Sequence, residues 1–254
     1  MTSISKALDQ IFFVDIETSA IKRSYQELAP RLQNLWSIKG NQINKYSPAE
    51  KSVEELYLNK AGIFAEFAKV ICISIGYFDI EKKRIKSFRA KSIYGEDEVQ
   101  VLKSFNRIVK KHFNKPKSQF ICGHNIKEFD IPFLCRRMII QNIKIPRILD
   151  LKNKKPWEVK QLIDTLHLWR FGDYKHYTSL DLLAAVLELP SPKEEVDGSQ
   201  IHDLYWNKKD FSSIFNYCER DVFTTAKVYL RLMQIDFPED LVLVSKTRLK
   251  TNLD

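Results

Sequence analysis

The apolar pattern near the start of the chain predicts a buried strand that carries two acids. Residues 11–17 read Ile-Phe-Phe-Val-Asp-Ile-Glu. Because side chains alternate along a strand, the odd-numbered residues, which include Asp15 and Glu17, share one face and the even-numbered residues share the other. Two carboxylates on a buried face need a neutralising cation, and a divalent metal ion is the natural candidate. The alternative is that the strand ends at Val14 and both acids lie in a solvated loop.

The rest of the pattern predicts an alternation of strands and helices. The predicted strands are 70–78, 84–90 and 119–123, and the predicted helices are 95–113, 130–142, 178–189 and 210–233. Residues 161–171 suit either a strand end or a helix, and residues 190–203 predict a loop. On the helix at 130–142, the apolar stripe leaves Arg136 and Arg137 on the solvent side.

Residues 19–62 interrupt this order as a long insertion. Its spacing predicts a helix at 24–36, a polar loop at 39–47 and a second helix that begins after Ser47 as the N-cap. No linker divides the chain, so we expect a single domain over residues 1–254. The predicted fold class is α/β, with a central mixed β-sheet flanked by α-helices. A hairpin followed by a crossover helix and a strand agrees with a ribonuclease H-like layout.

Composition narrows the possible partners. The 254-residue chain is 44% hydrophobic, which is enough for a core, and carries a formal net charge of +9. This excess of cations favours a polyanionic partner such as nucleic acid. The four cysteines form no Cys-x-x-Cys pair and are typical of buried thiols in a reducing compartment. Without a signal-peptide pattern or an apolar run of membrane-spanning length, we expect a cytoplasmic protein with no membrane partner.

Three places along the chain supply acids in apolar surroundings. Asp15 and Glu17 form the first, Asp130 the second and Asp221 the third. Tyr217 lies one helical turn before Asp221, so a hydroxyl and a carboxylate share one helix face. Four acids can hold two divalent ions, which activate a water and stabilise the leaving oxygen of a phosphodiester. Mg²⁺ needs few carboxylates because it keeps several of its waters.

The residue types suggest a division of roles. Asp15 would bridge both ions, Glu17 and Asp221 would complete one site, and Asp130 would support the other. Tyr217 would orient the attacking water or accept its proton, and an ordinary tyrosine pKa of about 10 favours orientation. Structural explanations compete with these roles. Asp130 would stabilise the N-terminus of its helix, and Tyr217 would be an ordinary residue of an amphipathic core.

These motifs resemble the three exonuclease motifs of the DEDD superfamily. The matching stretches are Val14-Asp15-Ile16-Glu17-Thr18, His124-Asn125-x-x-x-Phe129-Asp130 and Tyr217-x-x-x-Asp221-Val222, in that order. The tyrosine four residues before the last aspartate resembles the DEDDy branch, and the step from Asn125 to Asp130 resembles the version in family B polymerases. Residues 67–74 and 197–199 are further similar to stand-alone exonucleases related to that proofreading domain.

The resemblance implies a ribonuclease H-like fold, two Mg²⁺ or Mn²⁺ ions and 3′→5′ removal of nucleotides from a single-stranded end. It makes the four acids, Asp15, Glu17, Asp130 and Asp221, the metal ligands and Tyr217 the residue that positions water. Thr18 and Asn125 would help to hold the terminal nucleotide. DNA is favoured over RNA only through the resemblance, since these motifs bind phosphate and metal and not the 2′-hydroxyl.

Two other functions compete with this hypothesis. A haloacid dehalogenase-type phosphatase would use Asp15 as a nucleophile, but the chain lacks the downstream acidic pair that such a site requires. A non-catalytic nucleic-acid-binding module of the same fold would be free to lose an acid, and all four are present. We expect His124 and His167 to be structural. Trp157 and Tyr174 either stack on bases or belong to the core.

Overall fold

The structure is a computed structural model that describes residues 8–175, 177–189 and 198–249. Six strands form one mixed sheet in the order β5-β4-β1-β2-β3-β6. The strands are β1 Ile11–Ala20, β2 Ala68–Glu81, β3 Arg84–Tyr94, β4 Phe120–Gly123, β5 Leu162–Asp164 and β6 Leu243–Ser245. The main helices are α1 Pro30–Asn44, α2 Val53–Lys60, α3 Glu98–His112, α4 Asp130–Ile140, α5 Thr165–Arg170, α6 Leu180–Val186 and α7 Phe211–Leu232. The predicted α/β class, with a mixed sheet flanked by helices, is confirmed.

Strand β1 lies in the middle of the sheet and carries the first two acids. It pairs antiparallel with β2, where Asp15 faces Ser74 and Glu17 faces Cys72. It also pairs parallel with β4 as far as Phe13. A bulge between Glu17 and Thr18 lets the strand continue to Ala20. The alternative in which the strand ends at Val14 is therefore wrong, and both acids lie inside regular structure.

The two faces of β1 pack against different helices. The even-numbered side chains of β1 join a core with α3 and α4, represented by Leu102 and Phe133. On the opposite face Phe13 packs with Val222 and Ala226 of α7. Because Asp15 lies two residues after Phe13 and therefore on the same face of β1, its side chain points toward α7, the helix that carries the third acid.

The insertion differs from its predicted elements. Helix α1 extends to Asn44 and so occupies most of the segment predicted as a polar loop, and its Trp36 is fully buried and donates its indole N–H to the Val53 carbonyl. The predicted start after Ser47 is also wrong. The second helix begins one turn later, where the Ser52 hydroxyl accepts from the Glu55 N–H. This Ser-x-x-Glu spacing satisfies an N-terminal donor, which Ser47 does not.

Arg137 was expected on the solvent side of its helix and is instead buried beside Glu98, whereas Arg136 is exposed. The prediction from the apolar stripe was wrong for Arg137 because an arginine that is paired with an acid can occupy a buried position.

Other segments refine the prediction. Residues 161–171 contain both a strand, β5, and a helix, α5. Ser179 caps α6 as expected, and Asp210 caps α7. The segment predicted as a loop at 190–203 is described only from residue 198, where turns lead into a short helix, Ile201–Asp203, and a π-helical turn, Leu204–Lys208. Strand β6 follows α7 and has no counterpart in the prediction.

All four cysteines are free thiols, and Cys72, Cys122 and Cys218 are buried, which agrees with the expectation. Among the described residues, every helix is too short or too polar to span a bilayer.

Candidate functional site

The fold brings the three acid-bearing segments together. Asp15 and Glu17 come from the central strand, Asp130 begins α4, and Asp221 lies midway along α7. Ligand atoms of Asp15, Glu17 and Cys218 lie within 4.8 Å of one another. Asp130 and Asp221 both act electrostatically on Asp15, so all four acids lie near one another. We call Asp15, Glu17, Asp130 and Asp221 the acid cluster.

The electrostatics of this acid cluster are unfavourable without a cation. Burial raises the pKa of Asp15 well above its ordinary value, and the charges of Asp130 and Asp221 raise it further. Burial likewise raises the pKa of Glu17, followed by the charges of Asp15 and Asp221. Within the described part of the chain, no lysine or arginine forms an ion pair with Asp15, Glu17 or Asp130. Oxygen ligands that are buried, close together and uncompensated suit a divalent metal ion.

Asp130 is held at the start of α4 by its own helix terminus. Burial raises its pKa to about 7, while backbone N–H groups of Asp130 itself and of Ile16 donate to the carboxylate and lower it. The helix-terminus explanation and the metal-ligand explanation are therefore compatible, since one N–H group at the start of α4 and one on β1 together hold the carboxylate beside β1.

A buried acid that the sequence analysis missed organises the loop before Asp130. Asp164, at the end of β5, accepts from the backbone N–H groups of Asn125, Lys127 and Leu166 at 2.9–3.0 Å. Its charge also raises the pKa of Asp130. The signal was an acid directly after an apolar Leu-Ile pair, which is the pattern that had identified Asp15.

Asn125 occupies a tight turn at the end of β4. Its φ is 59°, and Gly123 precedes it where any Cβ would lie 2.7 Å from an atom of Ile126. The Asn125 side-chain oxygen is buried and has no hydrogen-bond partner among the described residues. Asn125 therefore forms the turn and also carries a side-chain oxygen that is available to a ligand.

Helix α7 presents Tyr217, Cys218 and Asp221 on neighbouring turns. The Cys218 thiol donates to Asp15 Oδ2 at 3.3 Å, a contact the sequence analysis did not foresee. The Tyr217 ring packs on the apolar cluster that contains Ile71 and Cys72, and its hydroxyl lies 3.8 Å from where a Cβ on Gly198 would be. Core packing thus fixes the ring.

The remaining predicted residues lie around this centre. The Thr18 hydroxyl donates to the Gly62 carbonyl at 2.7 Å, so the end of the insertion is tied to β1 directly beside the acids. His124 is structural, because its ring bonds the Thr165 hydroxyl and the Thr178 carbonyl, both at 2.9 Å. His167 contacts the surface acid Glu128 at 3.2 Å.

Comparison with solved structures identifies the fold class. The chain is similar to a family B DNA polymerase from the hyperthermophilic archaeon Pyrobaculum calidifontis, with a TM-score of 0.53 at 15% sequence identity. The likeness covers 88% of this chain and 24% of the polymerase chain, so the chain spans about a quarter of that polymerase's length. At this identity the likeness establishes the fold, which is the ribonuclease H-like fold of a polymerase exonuclease domain.

The family follows from the sequence match. Residues 63–240 match the family described as predicted 3′-5′ exonuclease related to the exonuclease domain of PolB. This match covers more than half of the chain, so the protein belongs to that family and is a 3′–5′ exonuclease by class. No curated protein matches the chain. The matched region contains Asp130 and Asp221, and the sheet adds Asp15 and Glu17 from outside it.

Proposed function

We propose that this protein is a DEDDy-type exonuclease that removes nucleotides from the 3′ end of single-stranded nucleic acid, with DNA favoured over RNA. The observation that carries the proposal is that Asp15, Glu17 and Asp130 lie close together while none of them pairs with a described lysine or arginine. Asp221 acts electrostatically on the same group, and Tyr217 lies one turn before it. The preference for DNA rests on the family's relation to the exonuclease domain of PolB.

The proposed ligands of two Mg²⁺ or Mn²⁺ ions are Asp15, Glu17, Asp130 and Asp221. Their carboxylate oxygens match the ligand preference of these cations. When bound, the ions would supply activation of a water and stabilisation of the leaving oxygen. Asp15 projects from the middle of β1, and the charges of Asp130 and Asp221 both act on it. This supports the proposal that Asp15 would be the ligand common to both ions.

The reaction is hydrolysis of the last phosphodiester bond. A water oxygen attacks phosphorus, the bond from phosphorus to the 3′-oxygen breaks, and that oxygen takes a proton. The products are a 5′-mononucleotide and a strand shortened by one residue. Tyr217 would orient the attacking water, while Thr18 and Asn125 would contact the terminal nucleotide. The Thr18 hydroxyl already donates to Gly62, so it has only acceptor capacity left for the substrate.

The test is a nuclease assay on single strands labelled at the 3′ or the 5′ end, with Mg²⁺ or Mn²⁺. We expect labelled mononucleotide from the 3′-labelled strand at once, and a descending ladder from the 5′-labelled strand. Asp15→Asn should abolish both, and Asp240→Asn, which neutralises an exposed acid, should change neither. Activity that survives Asp15→Asn would refute the proposal.

Parallel DNA and RNA strands of one sequence test the substrate preference. Faster cleavage of the DNA strand is expected, and faster cleavage of RNA would contradict the preference while leaving the metal chemistry intact. Binding of either strand without any cleavage would instead indicate a non-catalytic nucleic-acid-binding module. Tyr217→Phe should slow cleavage without weakening strand binding, since its proposed role concerns the water.

A further inference from the structure

Three aromatic side chains are exposed on the segment that follows α5. Phe171 is 88% exposed, Tyr174 69% and Tyr177 61%. We call these three residues the aromatic ledge. Large rings in water gain nothing from the hydrophobic effect, so three exposed rings within seven residues favour a ligand that covers them.

The ledge borders the acid cluster. The Tyr177 ring packs edge-on against His124, with centroids 6.2 Å apart. His124 is the residue next to Asn125, and its Nε2–H donates to the Thr178 carbonyl, which fixes this end of the ledge to the end of β4. Burial raises the pKa of the Tyr177 hydroxyl, and the charges of Asp130, Asp164 and Asp15 raise it further. The phenol therefore lies within electrostatic range of these acids.

The other end of the ledge is held in a strained conformation beside a cation. Phe171 adopts φ 45° at the end of α5, a region that bulky residues rarely enter. The Arg170 guanidinium lies 5.5 Å from the centre of the Tyr174 ring. Exposed rings with cationic neighbours are the arrangement with which proteins hold unpaired bases and their phosphates.

We propose that Phe171, Tyr174 and Tyr177 stack on the unpaired bases of a strand whose 3′ end lies in the acid cluster. The proposal rests on the proposed function, because it takes the strand end to be the occupant of the acids. Tyr177, whose ring contacts His124, stacks on the base nearest the scissile bond. Tyr174 and Phe171 stack on bases further from it, in the order of their separation from Tyr177 along the chain. Stacking accepts all four bases, so the ledge selects for single-stranded substrate and not for sequence.

The test measures stacking separately from cleavage. Oligonucleotides carry the fluorescent base 2-aminopurine at the first, second or third position from the 3′ end, and EDTA prevents hydrolysis. Stacking quenches 2-aminopurine, so binding to the wild-type protein should lower its emission. Phe171→Ala and Tyr177→Ala should restore the emission and weaken binding about 5- to 150-fold, as expected for loss of one base–aromatic stack. Tyr177→Phe keeps the ring and should behave as wild type.

The matched control is Tyr46→Ala, which removes a 91% exposed tyrosine from the insertion and should leave binding and emission unchanged. Ledge variants that quench and bind like wild type would overturn the proposal, as would a protein that binds neither DNA nor RNA single strands. Quenching in EDTA with no cleavage in Mg²⁺ or Mn²⁺ would support the ledge and refute the exonuclease. Cleavage in Mg²⁺ or Mn²⁺, together with ledge variants that bind and quench like wild type, would support the exonuclease and refute the ledge.

Discussion

Two groups of buried charge in this protein are built in opposite ways. Glu98 and Arg137 are each 6% exposed and form an ion pair with Nη2 2.6 Å from Oε2. The remaining bonds to this carboxylate come from Arg137 Nε, the Val70 N–H and the Gln141 amide. In the acid cluster the Cys218 thiol is the one side chain of the described residues that donates to Asp15.

The difference distinguishes buried charge that stabilises the fold from buried charge that we propose binds metal ions. The Glu98–Arg137 pair joins α3 and α4, and Arg137 Nη1 also donates to the Ala65 carbonyl, next to the start of β2. A buried charge with a full set of partners stabilises one arrangement of the chain. Among the described residues no lysine or arginine neutralises Asp15, Glu17 or Asp130, which is costly in the metal-free protein, and bound cations would offset that cost.

The largest effect should come from breaking the structural pair. Arg137→Met leaves Glu98 buried without its counter-charge, so we expect the free energy of unfolding to fall by about 3–5 kcal/mol. Urea denaturation followed by circular dichroism measures this. The matched control is Arg136→Met on the same helix, which removes an exposed arginine and should cost less than about 0.5 kcal/mol. Equal effects of the two substitutions would show that the buried pair contributes no special stability.

Asp15→Asn should raise the free energy of unfolding, which is the opposite of the effect of Arg137→Met. It removes one of several like charges from a buried site, and the amide oxygen still accepts from Cys218. The metal-free protein should therefore become more stable, because burial and the neighbouring acids both disfavour the charged form of Asp15. Urea denaturation in EDTA checks this. Destabilisation by Asp15→Asn would place Asp15 with the structural charges.

The stability of the metal-free protein should also depend on pH through Asp130. Its pKa of about 7 lies above the ordinary value of 3.8, so the folded protein binds more protons than the unfolded chain between these values. Its contribution is therefore full at low pH and is lost as pH rises toward 7, at up to about 1.4 kcal/mol per pH unit. Asp130→Asn should gain stability relative to wild type from pH 5 to pH 8. A difference that stays constant with pH would contradict the raised pKa.

The sequence predicted β1, the hairpin of β2 and β3, and α7 because their apolar periods are long and regular. The prediction failed where polar residues lie inside an element or in the core. Helix α1 continues through a polar stretch because Trp36 anchors it, and Arg137 is buried because Glu98, far away in sequence, neutralises it. Strand β6 is too short to give a period of its own.

The candidate site was predictable to the level of its acids and not to the level of its contacts. Spacing within motifs singled out Asp15, Glu17, Asp130 and Asp221, since acids in apolar runs are rare. The Cys218–Asp15 bond joins residues 203 apart, and the roles of Asp164 depend on β5 lying beside β4. Such pairings come from topology, which no local pattern specifies.

The central claim is that Asp15, Glu17, Asp130 and Asp221 form a divalent metal centre, and Mn²⁺ binding tests it most directly. Electron paramagnetic resonance reports free Mn²⁺, so titration of the metal-free protein at pH 8 gives the affinity without any substrate. We expect wild type and Asp240→Asn to bind Mn²⁺ alike and Asp15→Asn to bind it at least about 10-fold more weakly. Equal affinity of Asp15→Asn and wild type, or no binding by wild type, would contradict the claim.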